Sequence, residues 1–272
     1  MQNQNPSEST LNDQDTQQQM VAKIKVSPTL EAAAMLTGAE ASLAAGVLSD
    51  LNPSLTQDIL NILPEKHRKA IISSASPELA CQWERNHQYE AGSIGYFMEP
   101  TYAMFSPDGT VEEAIDQLRA LVNAASITYG YVTDQDSKLL GLVTMRDLLL
   151  ADDSAKVSEI MLRNVFVFKP DMALNEAMKL SLSRHYPVYP VCDEQGKLLG
   201  LVRGQALFET KAFEITAQAG SMVGVDKEER ISTPMWRSFM FRHPWLQLNL
   251  LTAFLAGGVV AMFQGTIDQL VI

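Results

Sequence analysis

Apolar and polar positions divide the 272-residue chain into stretches of different character. Residues 1–26 are polar, rich in Gln, Asn and Ser, and carry too few apolar groups to offset the entropy of ordering, which predicts a disordered tail. From 27 to 91 short apolar stripes are broken at Asn52-Pro53, Leu63-Pro64 and Ser76-Pro77. Proline suits the first turn of a helix, where its missing N–H has no partner in any case, and the Asn52 and Ser76 side chains can accept from the exposed donors of that turn. Leu48, Leu51, Leu55, Ile59, Ile62 and Leu63 recur at roughly helical spacing, so this stretch is expected to form a short α-helical domain.

Beyond Gly92 the pattern repeats. Asp134-Gln-Asp-Ser-Lys-Leu-Leu-Gly-Leu-Val143 returns as Asp193-Glu-Gln-Gly-Lys-Leu-Leu-Gly-Leu-Val202, and Pro107-Asp-Gly-Thr-Val-Glu-Glu-Ala114 matches Pro170-Asp-Met-Ala-Leu-Asn-Glu-Ala177. In the first copy Thr110 and Glu113 are spaced as a capping box, and Val111, Ala114, Ile115, Leu118 and Val122 share one helical face. Each copy reads as helix, short strand (Tyr129 to Thr133; Val188 to Cys192), polar turn, second strand and closing helix. The expected boundaries of these α+β units are 92–153 and 154–210, followed by a connecting helix over 211–242.

A third pattern fills 243–272. Pro244 to Phe263 contains no charged residue, and about 20 helical residues span a hydrocarbon layer roughly 30 Å thick. One transmembrane α-helix is predicted here. Arg237, Arg242 and His243 precede it, which places the N-terminal side in the cytoplasm, in keeping with an opening segment that does not resemble a secretory signal. Ala253, Gly257 and Ala261 put small side chains on one face, and Gln247, Asn249 and Thr252 add polar groups, as in helices that pack against others in a bundle.

Charge narrows the class. A net charge of −11 without clustered Lys or Arg argues against a nucleic-acid partner. Cys81 and Cys192 lie far apart with no CxxC pair and are expected to be buried, apolar thiols. The four histidines form no HExxH, no serine lies in GxSxG, and no GxxxxGKS phosphate loop occurs, so an enzyme is not expected.

The repeat resembles a tandem pair of CBS domains, each an apolar strand, a glycine, then Thr or Ser three residues before Asp. The first copy keeps that signature as Gly141-Leu-Val-Thr144-Met-Arg146-Asp147; the second has Arg203 and Ala206 in place of Thr144 and Asp147. The resemblance implies that Thr144 and Asp147 hold the ribose of an adenine nucleotide such as ATP, that Arg146 meets a phosphate, and that at most one good nucleotide site per pair remains. The thr–Asp pair would equally serve to cap the following helix.

The order of parts (helical domain, Gly92-Ser-Ile-Gly-Tyr-Phe-Met98, paired CBS units, connecting helix, Arg242-His-Pro-Trp-Leu246) resembles the MgtE family of magnesium transporters from about Leu36 to Ile272. That resemblance implies a homodimer in the inner membrane, in contact with lipid, whose acidic cytoplasmic domains gather Mg²⁺ and close a pore. It also implies that the pore needs spans beyond Ile272, so only the first is expected here. Candidate metal ligands are Glu209 and Glu214 at the exit of the second CBS unit, Asp152 and Asp153 after the first, and Asp226 before the membrane. The acids at the exit of the second CBS unit are fewer than the family pattern. A single-span sensor of adenine nucleotides, with no transport activity of its own, fits the same pattern.

Overall fold

The computed structural model describes residues 6–121, 126–212 and 235–263. They fall into two compact units, one of Met1–Lys25 with Thr29–Lys211 and one of Val26–Pro28 with Ala212–Ile272.

Six helices open the first unit: α1 (Pro6–Lys25), α2 (Thr29–Thr37), α3 (Ala41–Ser49), α4 (Pro53–Ile62), α5 (Glu65–Ser74) and α6 (Pro77–Asn86). Helix α1 corrects the expectation of a disordered tail. Its polar run ends in Met20-Val21-Ala22-Lys23-Ile24, and Val21 and Ile24, three apart on one face, are buried in the core shared with Leu36, Leu48, Ile59 and Trp83. Gln17 Nε2 adds a 2.7 Å hydrogen bond to Asp50 Oδ2. A narrow apolar stripe suffices once a bundle is present to receive it, because most helical stability in proteins comes from packing. The caps form as their residue types dictate: Asn52 Oδ1 accepts from Ser54 N–H at the start of α4, and Ser76 Oγ from Leu79 N–H at the start of α6. Ile62, expected on the apolar face of α4, is exposed.

The Ser-Ile-Gly-Tyr-Phe phrase becomes a short 3₁₀ turn, Ile94–Phe97, whose residues are all buried together with Met98. Hydrogen bonds fasten the helical bundle to it. Asn86 Nδ2 donates to the Met98 carbonyl at 2.7 Å, Tyr96 Oη to Asp58 Oδ1 at 2.8 Å, and Asn61 Nδ2 to Tyr96 Oη at 3.0 Å. Burial raises the Asp58 carboxyl above its ordinary pKa, partly offset by the tyrosine's bond.

The first repeat comprises β1 (Met104–Phe105), α7 (Val111–Leu121), β2 (Tyr129–Thr133), β3 (Leu139–Thr144) and α8 (Met145–Leu150). The second comprises α9 (Val157–Ile160), α10 (Leu174–Arg184), β4 (Val188–Cys192), β5 (Leu198–Arg203) and α11, which starts at residue 204 and is described through 212. Strand β1 runs parallel to β2, which pairs antiparallel with β3; β4 pairs antiparallel with β5. In the second repeat Phe168 makes an isolated parallel bridge to Val191 where the first has a full strand. The two aspartate turns are built alike: Asp134 Oδ1 accepts from the N–H groups of Asp136 and Lys138, and Asp193 Oδ1 from those of Gln195 and Lys197. The capping box Thr110–Glu113 is present in both directions.

Each repeat keeps its own apolar core, and a third cluster, Tyr131, Leu142, Cys192 and Leu198, joins them. Within this cluster burial pushes the Cys192 thiol up to about 12, which makes it inert at neutral pH. Cys81 departs from expectation. It lies on the outer side of α6, exposed, while Gln82, Trp83 and Asn86 face inward.

The second unit contributes α12 (Met235–Met262). Its segment His243–Met262, 20 residues with mean hydropathy 1.6, is long and apolar enough to cross a membrane. Leu250, Leu251, Phe254, Leu255, Val259 and Val260 are exposed along it. Most of the expected connecting helix, residues 213–234, lies outside the described residues.

Candidate functional site

Two places in the fold correspond to one another through the repeat, at the end of the last strand of each CBS unit. In each, an extended segment near the start of a CBS unit crosses that strand and exchanges two main-chain hydrogen bonds with it. Leu162 N–H donates to the Leu142 carbonyl at 2.8 Å and Leu142 N–H to the Leu162 carbonyl at 3.1 Å; Glu99 N–H donates to the Leu201 carbonyl at 2.8 Å and Leu201 N–H to the Glu99 carbonyl at 2.9 Å. The glycine of each signature permits the crossing. A Cβ on Gly141 would stand 2.6 Å from the Leu162 carbonyl oxygen, and one on Gly200 2.8 Å from that of Glu99.

In the first copy β3 ends at Thr144, which caps α8. Thr144 Oγ1 accepts from Asp147 N–H at 3.2 Å, while Asp147 Oδ2 accepts from Thr144 N–H at 3.0 Å and from the Thr144 hydroxyl at 2.7 Å. The two expected ribose ligands are thus brought into contact, half-buried, in a reciprocal capping box that fixes their side chains. A carboxylate in that state accepts hydrogen bonds only, so it suits a diol. Arg146 is exposed on the first turn of α8, one residue from Asp147. Tyr129 stands opposite Thr144 in the β2–β3 register. Burial lifts its hydroxyl above the ordinary pKa, and the nearby hydroxyls of Tyr186 and Tyr189 add to the rise.

In the second copy Arg203 occupies the place of Thr144. Its Nε donates to Glu99 Oε2 at 2.8 Å and its Nη2 to the Ser126 carbonyl at 3.3 Å. Ala206, in place of Asp147, is buried, and its carbonyl accepts from Asn52 Nδ2 at 3.4 Å and from the Thr210 hydroxyl. Arg85 also reaches across from α6 to the Leu199 carbonyl. The residues that replace the signature in this half of the pair are therefore bonded to other parts of the protein. Glu99 had gone unnoticed in the sequence, yet the repeat sets Met98-Glu99 against Met161-Leu162 and so marks it as a substitution.

The candidate metal ligands are not gathered. Asp152 and Asp153 are exposed in the loop after α8, where the Asp153 carbonyl accepts from Glu112 N–H and the Asp152 carbonyl from Ala155 N–H. Glu209 is exposed on α11 and accepts from Gln205 at 2.7 Å. Glu214 and Asp226 lie outside the described residues. Among the described residues no group of three or more His, Cys, Asp or Glu side chains converges. The donors have the hard oxygen character that Mg²⁺ prefers, but not its full number.

Fold and site together define a paired CBS module carried behind a helical bundle. Residues 91–154 and 157–209 match the CBS domain family. The chain is 28% identical over 198 residues, 71% of its length, to the magnesium transporter MgtE of Thermus thermophilus, and covers 43% of that protein. It is similar in fold to the soluble part of a magnesium transporter, with a TM-score of 0.58, 25% identity, and coverage of 66% of this chain and 70% of that one. It is likewise similar to the cytosolic domain of the Mg²⁺ channel MgtE in complex with ATP, with a TM-score of 0.54, 27% identity, and coverage of 67% and 80%. The chain is similar in sequence to the MgtE magnesium transporters of Thermus thermophilus and Bacillus subtilis and in fold to the soluble part of a magnesium transporter. It spans about two fifths of the length of the curated relatives it matches.

Proposed function

We propose that this chain is the ion-sensing and gating region of a magnesium or other divalent-cation transporter of the inner membrane, acting as a homodimer with its N-terminal domains in the cytoplasm. The observation that carries the reading is the order of parts: a helical bundle hydrogen-bonded to a CBS pair, with an apolar helix of membrane-spanning length at the C-terminal end. In this mechanism carboxylates that face one another across separate bodies repel until a hard divalent cation bridges or screens them. Asp152, Asp153 and Glu209, each exposed, supply part of such a set; the remaining ligands come from a second copy of the chain or from Glu214 and Asp226. Mg²⁺ then favours the closed arrangement because it binds that arrangement more strongly, which is the only way a ligand shifts such an equilibrium.

Millimolar Mg²⁺ is accordingly expected to slow limited proteolysis of the detergent-solubilised chain, whereas the same ionic strength of NaCl leaves the digestion rate unchanged. Identical digestion with and without Mg²⁺ would count against ion sensing.

The first CBS copy supports a second ligand. Thr144 and Asp147 are held in contact by their own capping box, with Arg146 and Tyr129 beside them, and this set fits the ribose, phosphate and base of an adenine nucleotide. Asp147→Ala is expected to weaken ATP binding at least tenfold, about 1.4 kcal/mol, the cost of removing hydrogen bonds to a charged acceptor. Calorimetric titration of variant and wild type checks it, and equal affinities would refute the assignment. A reading in which the nucleotide alone is sensed and no cation passes rests on this same intact pair.

A further inference from the structure

The second CBS copy holds more than a lost signature. Arg203 stands between two spaces. On one side is a small cavity of about 30 Å³ lined by Ile127, Tyr129, Tyr131 and Val188; on the other is a cleft of about 550 Å³ that reaches Asp50, Asn52 and Glu209. Glu99, Pro100, Tyr102, Ser126 and Arg203 line both. The Tyr131 hydroxyl, at 2% residue exposure, has no hydrogen-bond partner among the described residues. The inner cavity is far below the roughly 300 Å³ at which small-molecule pockets begin.

The partners of the guanidinium come from elsewhere in the pair. Glu99 lies near the start of the first CBS unit, Ser126 precedes β2 of that unit, and Arg203 ends β5 of the second. A side chain of the second unit therefore bonds groups of the first at the place that corresponds to Thr144 in the other half of the pair. The charge is matched as well, because Glu99 is only 23% exposed and its carboxylate receives the guanidinium N–H at 2.8 Å. A planar guanidinium suits such a setting better than a compact ammonium, since it can donate to a carboxylate and a carbonyl in different directions at once.

We propose that Arg203 is a built-in ligand of the second CBS site. Its guanidinium occupies that site permanently, joins the two CBS units through Glu99 and Ser126, and leaves the first copy as the only place in the pair that takes an adenine nucleotide. The space vacated by removing Arg203 accepts a small planar cation of the guanidinium class. The statement about the nucleotide rests on the proposed role of the first copy; the statement about the guanidinium does not.

The test uses the full chain in detergent, with thermal unfolding as the readout. Arg203→Ala is expected to lower Tm by roughly 2–4 °C, and millimolar methylguanidinium to restore at least half of the loss while leaving the wild type unmoved. Methylammonium at the same concentration restores little. The double variant Arg203→Ala, Glu99→Gln is expected to lose the rescue, since the carboxylate that receives the cation is gone. Equal responses of wild type and Arg203→Ala to methylguanidinium, or rescue that survives Glu99→Gln, would overturn the proposal. Should Arg203→Ala not fold, Glu99→Gln alone and Arg203→Lys are each expected to lower Tm, and a wild-type Tm in both would overturn it. Titration with ATP separates the two readings: one nucleotide per wild-type chain agrees with both, two per chain overturns the built-in ligand, and none overturns the nucleotide role of Thr144 and Asp147 while the methylguanidinium result still decides that of Arg203.

Discussion

Replacing Leu251 and Leu255 together with lysine is expected to move the chain from the membrane fraction into the soluble or aggregated fraction. Both residues are exposed on α12, one turn apart, near the middle of the segment His243–Met262. A lysine at the centre of a spanning helix costs about 3 kcal/mol against insertion, so two such residues oppose it by about 6 kcal/mol, more than a four-order change in the partition. The exposed apolar side chains of α12 have the opposite preference. Fractionation after carbonate washing reads the result directly. Wild type in the pellet and the double variant in the supernatant is the expected outcome; equal recovery of both in the supernatant would mean that α12 does not lie in lipid.

Gly141→Ala should produce the second large effect, a loss of stability of about 3 kcal/mol, or a fall in Tm of roughly 6–12 °C. The added Cβ would stand 2.6 Å from the Leu162 carbonyl oxygen and 3.0 Å from Met161 Sδ. The methionine can turn aside, but the carbonyl is main chain and is engaged by Leu142 N–H, so relief requires breaking the crossing that joins the first repeat to the segment opening the second. Gly38→Ala is the control. Its Cβ would meet only the Met35 carbonyl, at an ordinary 3.7 Å, and its effect is expected to stay within about 0.5 kcal/mol. Thermal scans of the two variants side by side make the comparison, and equal Tm values would show that the close approach at Gly141 carries no stability.

Features set by short-range chemistry were legible in the sequence. The caps at Asn52 and Ser76, the Thr110–Glu113 box and the strands at Tyr129–Thr133 and Val188–Cys192 depend on residues a few positions apart, and all of them form. The pairing of Thr144 with Asp147 was legible for the same reason, since the residues that cap α8 are also those that bear the CBS signature. Long-range partners were not. Nothing local announces that Glu99 meets Arg203, or that Val21 and Ile24 find a bundle to cover them, because such contacts depend on how distant segments come together. The exposed Cys81 belongs to the same class: its residue type favours burial, but the face of α6 is chosen by Trp83 and its neighbours. The proposed cation ligands stayed scattered for a related reason, as carboxylates on the surface of one chain acquire meaning as a set only when another surface faces them.

The exchange of hydrogen bonds between Glu99 and Leu201 bears on how the protein emerges from the ribosome. A nascent chain that has delivered only the first CBS unit still lacks the strand on which the segment around Glu99 must rest, so the unit leaves the exit tunnel with one edge unfinished. Completion waits for β5, and α12 follows soon after it. Completion of the first CBS unit and release of the apolar helix thus become nearly simultaneous events in synthesis.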